Sequence, residues 1–232
     1  MYAKFWKRFF DFFLSFFAFI VISPLLLILT VIGAITMKGN PFFVQKRPGM
    51  IDRKVGKERI ISLLKFRTMT NERNSNGDLL PDEKRLVPYG KFLRSSSLDE
   101  IPSLINILVG DLAIVGPRPQ LVRDMTFMTA EQRRRHEVRP GLTGLAQVNG
   151  RNNISWEQKF EYDLQYIDQG ITFKGDLKII LKTVAKVIKR SDTVREGTVS
   201  DMDYGDWLIM EGKVDQTTYD EKQEEARELL GV

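Results

Sequence analysis

The sequence predicts a mixed, helix-rich α/β domain joined to an N-terminal membrane helix. Three observations carry that reading. Residues 12–37 hold no charged side chain, two short segments at 41–48 and 60–66 are rich in β-branched and aromatic residues, and residues 176–190 repeat apolar side chains at helical spacing.

The uncharged run, FFLSFFAFIVISPLLLILTVIGAITM, exceeds the roughly 20 apolar residues that cross a hydrocarbon core. Lys4, Lys7 and Arg8 precede it and Lys38, Lys46 and Arg47 follow, so both flanks carry the mark of the cytoplasmic side. Pro24 lacks an N–H and clashes with the preceding turn, which lets a helix bend at Ser23-Pro24, enter the bilayer and return. The carbonyl that proline frees needs a donor, and the Ser23 hydroxyl is a candidate. A re-entrant helix over residues 1–37 is the expectation. A Pro-kinked crossing competes with it; a signal peptide fits worse, because the stretch is too long and lacks an A-x-A site.

Residues 38–200 suffice for one compact catalytic or binding domain, followed by an acidic tail at 201–232. The net charge of +5 conceals an asymmetry: the tail carries ten acidic and three basic residues, which leaves +12 on residues 1–200. Beside a membrane helix, such a basic body suits anionic lipid or a phosphorylated substrate better than nucleic acid, for which no aromatic-rich basic strand or recognition helix is present. The chain has no cysteine, which excludes disulfides, thiol catalysis and zinc-thiolate sites. His136 is the only histidine, and its Arg133-Arg134-Arg135-His136-Glu137 setting predicts a solvated helix end rather than a catalytic base. Any metal must then be a hard cation on carboxylates.

The segments 41–48 and 60–66, punctuated by Gly49 and Gly56, predict a hairpin, and the polar stretch 70–90 a loop. A helix is expected from Ser97 to Leu108, a strand and turn over 110–119, a capped helix from Thr129 to about Glu137, and another over Ser155–Asp168. In 176–190, Leu177, Ile180, Leu181, Val184 and Ile188 share a stripe from which the lysines are mostly excluded, so the helix serves either a core or a membrane interface. Helix-forming residues return at 220–230.

Three segments bear chemistry. In Ser97-Leu98-Asp99-Glu100-Ile101-Pro102 both carboxylates fall at a helix start, where free N–H groups favour ionised carboxylates and attract phosphate. Plain N-capping is the competing reading. In Val115-Gly116-Pro117-Arg118-Pro119 two prolines hold an arginine whose planar fork suits phosphate oxygens, although an incidental surface arginine would look the same. The glycines of residues 139–151 would let backbone N–H groups approach a ligand, without the spacing of a P-loop.

Together with Lys7–Asp11, Ser23-Pro24, Gln45–Gly49, Lys65–Met69, Arg139–Gly144, Glu161–Asp163 and Asp176–Ile179, these segments resemble the small monotopic phosphoglycosyl transferases of the bacterial sugar transferase family. The likeness runs from Phe5 to about Gly197 and is greatest to the branch that begins bacterial N-linked glycan assembly.

The resemblance implies transfer of a sugar 1-phosphate, from a UDP-sugar that is an N-acetylated hexose, to polyprenyl (undecaprenyl) phosphate, with UMP released. It places the enzyme on the cytoplasmic face of the bacterial inner membrane, among membrane lipids and downstream glycosyltransferases. Asp99 is implied as the nucleophile that forms an aspartyl-phosphosugar. Glu100 holds Mg²⁺ or assists the acceptor phosphate. Lys65, Arg67 and Arg118 supply positive charge, Asp163 ligates metal or orients a basic residue, and Arg139, Thr143 and Arg151 lie toward the uridine or sugar. The alternatives are a membrane-bound Mg²⁺-dependent hydrolase of nucleotide-sugars or lipid phosphates, and a basic membrane adaptor.

Overall fold

The computed structural model describes residues 1–150, 154–189 and 202–231. After a π-type turn at Tyr2–Trp6, helix α1 runs from Lys7 to Thr36 and is helical through Pro24. Proline removes the bond that residue 24 would make to the Ile20 carbonyl, and the Ser23 hydroxyl donates to that oxygen at 2.8 Å. Much of α1 faces outward: Phe17, Val21, Leu27 and Ile35 are each more than 60% exposed.

The other face of α1 is bound to the rest of the chain on both sides of Pro24. Toward its start, Lys7 meets Asp176 at 2.7 Å, Arg8 donates to the Ile107 and Leu108 carbonyls, and Asp11 accepts from the Ile114 N–H at 3.1 Å. Toward its end, the Tyr89 hydroxyl donates to the Leu29 carbonyl at 2.8 Å. Gly33 packs so closely there that a Cβ would lie 2.9 Å from the Tyr89 oxygen.

Strands β1 (Phe42–Asp52) and β2 (Lys57–Phe66) form the expected antiparallel hairpin and extend it beyond the anticipated limits. Alternation sends Ile61 and Leu63 into the core and makes Lys65 the next residue of that inward series. Arg47 stands opposite Ile61 in the ladder, hence on the same face.

The polar loop is shorter than expected. It gives way to α2 (Asp82–Arg85) and then α3 (Pro88–Ser96), whose proline falls in the first turn, where it costs no hydrogen bond. Instead of one helix over 97–108, a 3-10 helix at Leu98–Ser103 leads into α4 (Leu104–Val109).

Strand β3 (Ala113–Val115) is followed by α5 (Val122–Met125) and α6 (Ala130–Arg133). The latter starts at the expected Thr129/Gln132 capping box and continues as a 3-10 turn to Glu137. His136 is not solvated: it is 2% exposed, with Nδ1 3.1 Å from Glu58, a partner on β2 that local sequence could not supply.

Strand β4 (Gly141–Thr143) pairs in parallel with β3. The glycines there allow close chain-to-chain approach, since a Cβ on Gly141 or on Gly144 would lie 2.1 Å from the Gly116 backbone. Helices α7 (Leu145–Asn149) and α8 (Trp156–Asp168) follow, the second beginning at a Ser155/Gln158 capping box.

Helix α9 (Phe173–Lys189) is the expected amphipathic element. Asp176 and Ile179 are buried, whereas Leu177, Leu181 and Val184 are at least 42% exposed, so most of the apolar stripe turns away from the core. Finally α10 (Tyr204–Met210) and α11 (Gln216–Leu230) dock on the domain. Tyr204 and Leu208 pack with Met128, Trp156 and Phe160, and Ala226 packs with Val122 and Met125.

Candidate active site

Ser97 closes α3 with φ +57° and ψ +20°, a left-handed conformation that costs a non-glycine residue about 1–2 kcal/mol. This residue turns the chain from α3 into the 3-10 helix and sets the direction of the next two side chains, Asp99 and Glu100. With about three residues per turn, adjacent side chains there diverge by roughly 120°. The Ser97 side chain makes no cap hydrogen bond to the 3-10 helix.

Glu100 points into a cationic cluster. Its Oε1 accepts from Lys65 Nζ at 3.0 Å and from Arg118 at 2.6 Å, and its Oε2 accepts from the other Arg118 nitrogen at 3.2 Å. The fork makes this a two-pronged, charge-assisted contact. Against its own burial, Arg118 and Lys65 hold the Glu100 carboxyl well below the usual range. Burial and the charge of Glu100 push Asp99 up, against Lys65, Arg118 and Arg94. Glu100 is thus a fixed anion, and Asp99 is the carboxylate whose charge is opposed.

Arg47 belongs to the same cluster. It lines a small cavity with Lys65, Glu100, Ser103 and Arg118, and donates to the Pro119 carbonyl at 3.3 Å and to Gln45 at 2.8 Å. Burial pushes its guanidinium down to about 10, and its Nε is buried without a partner among the described residues. Lys65 and Arg118 act on both Asp99 and Glu100, Arg94 acts on Asp99 and also faces Asp82, and Arg47 faces Asp124 as well as Glu100. The partly exposed Arg118 fork has the planar geometry that phosphate oxygens match.

A second cavity, of about 320 Å³, adjoins the cluster. Glu100 and Arg118 stand on its wall, and the rest is mainly apolar: Ala18 and Ile22 of α1, Leu104 of α4, and Val184 and Val187 of α9. Thr143 is there too, with its hydroxyl 2.7 Å from that of Thr183.

The other anticipated residues lie elsewhere. The Arg139 side chain donates to the Gly110 carbonyl at 2.9 Å, and the Arg67 N–H donates to the Pro41 carbonyl; neither residue lines a cavity described above. Arg151 lies outside the described residues. Asp163 is 2% exposed and accepts from Arg135 at 2.6 Å, while the same guanidinium nitrogen donates to the Arg118 carbonyl at 2.6 Å. Its contact is thus with a basic residue, Arg135.

Among the described residues no three histidine, aspartate or glutamate side chains cluster for a metal. Of the adjacent carboxylates, Glu100 has both oxygens engaged by Lys65 and Arg118, which leaves Asp99 as the main donor; one carboxylate with water and substrate phosphate is a set that Mg²⁺ accepts.

Arg47 and Arg135 were missed by sequence reasoning. The signal for Arg47 was its register: a charge facing a buried apolar position across a hairpin needs a partner. Asp163 gave the signal for Arg135, since it continues the buried Trp156 and Phe160 stripe of α8.

Residues 2–190 match the family described as bacterial sugar transferase. The chain is 50% identical over 184 residues to a protein of Bacillus subtilis (strain 168) named uncharacterized sugar transferase EpsL, covering 78% of this chain and 87% of the other. It is 40% identical over 190 residues to the UDP-glucose:undecaprenyl-phosphate glucose-1-phosphate transferase of Klebsiella pneumoniae, covering 78% of this chain but only 39% of that longer protein. Over 208 residues it is 31% identical to the undecaprenyl-phosphate galactose phosphotransferase of Salmonella typhimurium, covering 82% of this chain and 42% of the relative. The chain belongs to the bacterial sugar transferase family.

Proposed function

We propose that this protein transfers a sugar 1-phosphate from a UDP-sugar to polyprenyl phosphate at the cytoplasmic membrane face. The observation that carries the reading is the 320 Å³ cavity, because its wall joins residues of the apolar helix α1 to Glu100 and Arg118. A lipid chain can lie against Ala18, Ile22 and Val187 while its phosphate meets the cationic cluster. The names of the Klebsiella and Salmonella relatives, which specify undecaprenyl phosphate, support the same acceptor.

In the first step an Asp99 oxygen attacks the sugar-bearing phosphorus. The bond from that phosphorus to UMP breaks, and UMP leaves with the electron pair. In the second step an acceptor phosphate oxygen attacks the same phosphorus and releases Asp99 unchanged. Arg118, held by Glu100 on one side and through its carbonyl by Arg135 on the other, grips phosphate oxygens, and Lys65 adds charge beside it. Asp99, with Glu100 beside it, would hold Mg²⁺, which when bound would supply charge neutralisation of the diphosphate.

Helix α1 is read as re-entrant, since both halves touch the one domain. With no native cysteine to interfere, Ala3→Cys and Asn40→Cys should label from the same face, and labelling from opposite faces would make α1 a crossing. The sugar is expected to be an N-acetylated hexose, and the test panel includes UDP-glucose and UDP-galactose because relatives are named for those sugars.

The deciding experiment measures nucleotide release from that panel with Mg²⁺, with and without undecaprenyl phosphate. UMP matched by lipid-linked sugar phosphate, and reduced at least about 10³-fold by Asp99→Asn, is the expected result. UDP release, or UMP turnover indifferent to acceptor, would replace the reading with glycosyl transfer or hydrolysis.

A further inference from the structure

The family match ends at residue 190, yet α10 and α11 beyond it are built into the surroundings of Arg118. The link is Asp124, 2% exposed at the end of the short strap that follows Arg118. Its Oδ2 accepts from the Leu121 N–H at 3.0 Å, which fixes the strap, and its Oδ1 accepts from the Tyr204 N–H at 2.8 Å, which fixes α10. Beside it, Arg123 forms an ion pair with Asp203.

Apolar burial follows the same path. Val122 and Met125, each 2% exposed, pack with Ala226 of α11, and Leu230 lies against that cluster. Gly205 meets Phe127 so closely that a Cβ would stand 2.6 Å from its ring. The upstream end of the strap is held by the catalytic domain, through Arg135 on the Arg118 carbonyl and Arg47 on the Pro119 carbonyl. Its downstream end is held by residues 203–230.

We propose that Asp124 is a positioning residue for sugar-phosphate transfer, and that α10 and α11 act as a clamp which sets Arg118 through it. A carboxylate that satisfies one N–H on each of two segments couples them: displacing α10 removes a partner of Asp124 and loosens the Leu121 end of the strap. The kinetic part rests on the transferase reading above; the structural part does not.

Two variants test it in the intact chain. Asp124→Asn presents an amide where one N–H must be accepted, and Gly205→Val wedges α10 from Phe127 without touching Asp124. Hydrogen exchange of the peptide containing residues 116–121 should accelerate about tenfold in both. In both, kcat/KM for the UDP-sugar should fall about tenfold, but not when Arg118→Lys is already present, because the effect runs through the fork that lysine lacks.

Unchanged exchange in both variants overturns the inference whatever the reaction proves to be. Equal fold-losses in the Arg118 and Arg118→Lys backgrounds also overturn it, since a general loss of stability is additive. Absence of UMP release from the unaltered protein sinks the transferase reading alone and leaves the exchange experiment decisive for the clamp.

Discussion

Two buried ion clusters lie on either side of Arg118, and they are built differently. Arg135 and Asp163 form a one-to-one pair with side chains 1% and 2% exposed. Glu100 instead faces Lys65 and Arg118, with Arg47 behind them, and the Arg118 side chain is 35% exposed on the wall of a cavity. The first cluster is closed and balanced. The second is open at Arg118, beside the cavity. Burial of charge alone does not distinguish the two clusters; access does.

That contrast can be broken at three places. The largest effect is expected at the closed pair: Asp163→Asn leaves Arg135 charged and enclosed, and should destabilise the fold by about 3–5 kcal/mol in denaturant unfolding. A loss of activity without loss of stability would move Asp163 into the open cluster.

At the open cluster the expectation is reversed. Arg118→Lys should cost about 10²-fold in kcat/KM, because the two-pronged grip is lost while the charge stays, with stability changed by less than about 1 kcal/mol. Unfolding and kinetics measured on one preparation give both numbers.

The smallest effect concerns a third enclosed group, His136 against Glu58. Burial pushes the His136 imidazole below its ordinary value, with Arg135 and Arg133 adding to that and Glu58 opposing. The unfolded chain therefore binds the extra proton first, so stability is full above about pH 6.5 and declines as pH falls below it. Against its own burial, His136 and Arg133 hold the Glu58 carboxyl low, which adds stability above about pH 4.3 that is lost on further acidification. Melting temperature against pH should fall in two stages, and His136→Gln should remove the upper one.

The sequence made legible what is encoded locally. The Thr129/Gln132 and Ser155/Gln158 boxes start helices where expected, the hairpin forms, and the Ser23 hydroxyl reaches the carbonyl that Pro24 frees. The adjacency of Asp99 and Glu100 was visible, but their division of labour was not. It depends on Lys65, 35 residues earlier, and on Arg118, 18 residues later. The β3–β4 pairing escaped for a related reason: three-residue parallel strands have too little pattern to announce themselves, and the glycines that permit their approach read as a loop. His136 was misplaced because arginines beside it suggest solvent, whereas its partner Glu58 is 78 residues away.

The fastening of α1 at Lys7, Arg8 and Asp11 near one end and at Leu29 and Gly33 near the other has a mechanical consequence. A tether attached at one point lets its cargo swivel; a beam fixed at two points does not. If α1 lies in a bilayer as proposed, the domain would keep one height and one tilt against it, with the mouth of the cavity at a constant level. Under the proposed function, encounter with a membrane-borne acceptor would then be a search in two dimensions, and a foreign transmembrane helix spliced on in place of α1 would restore attachment without restoring alignment.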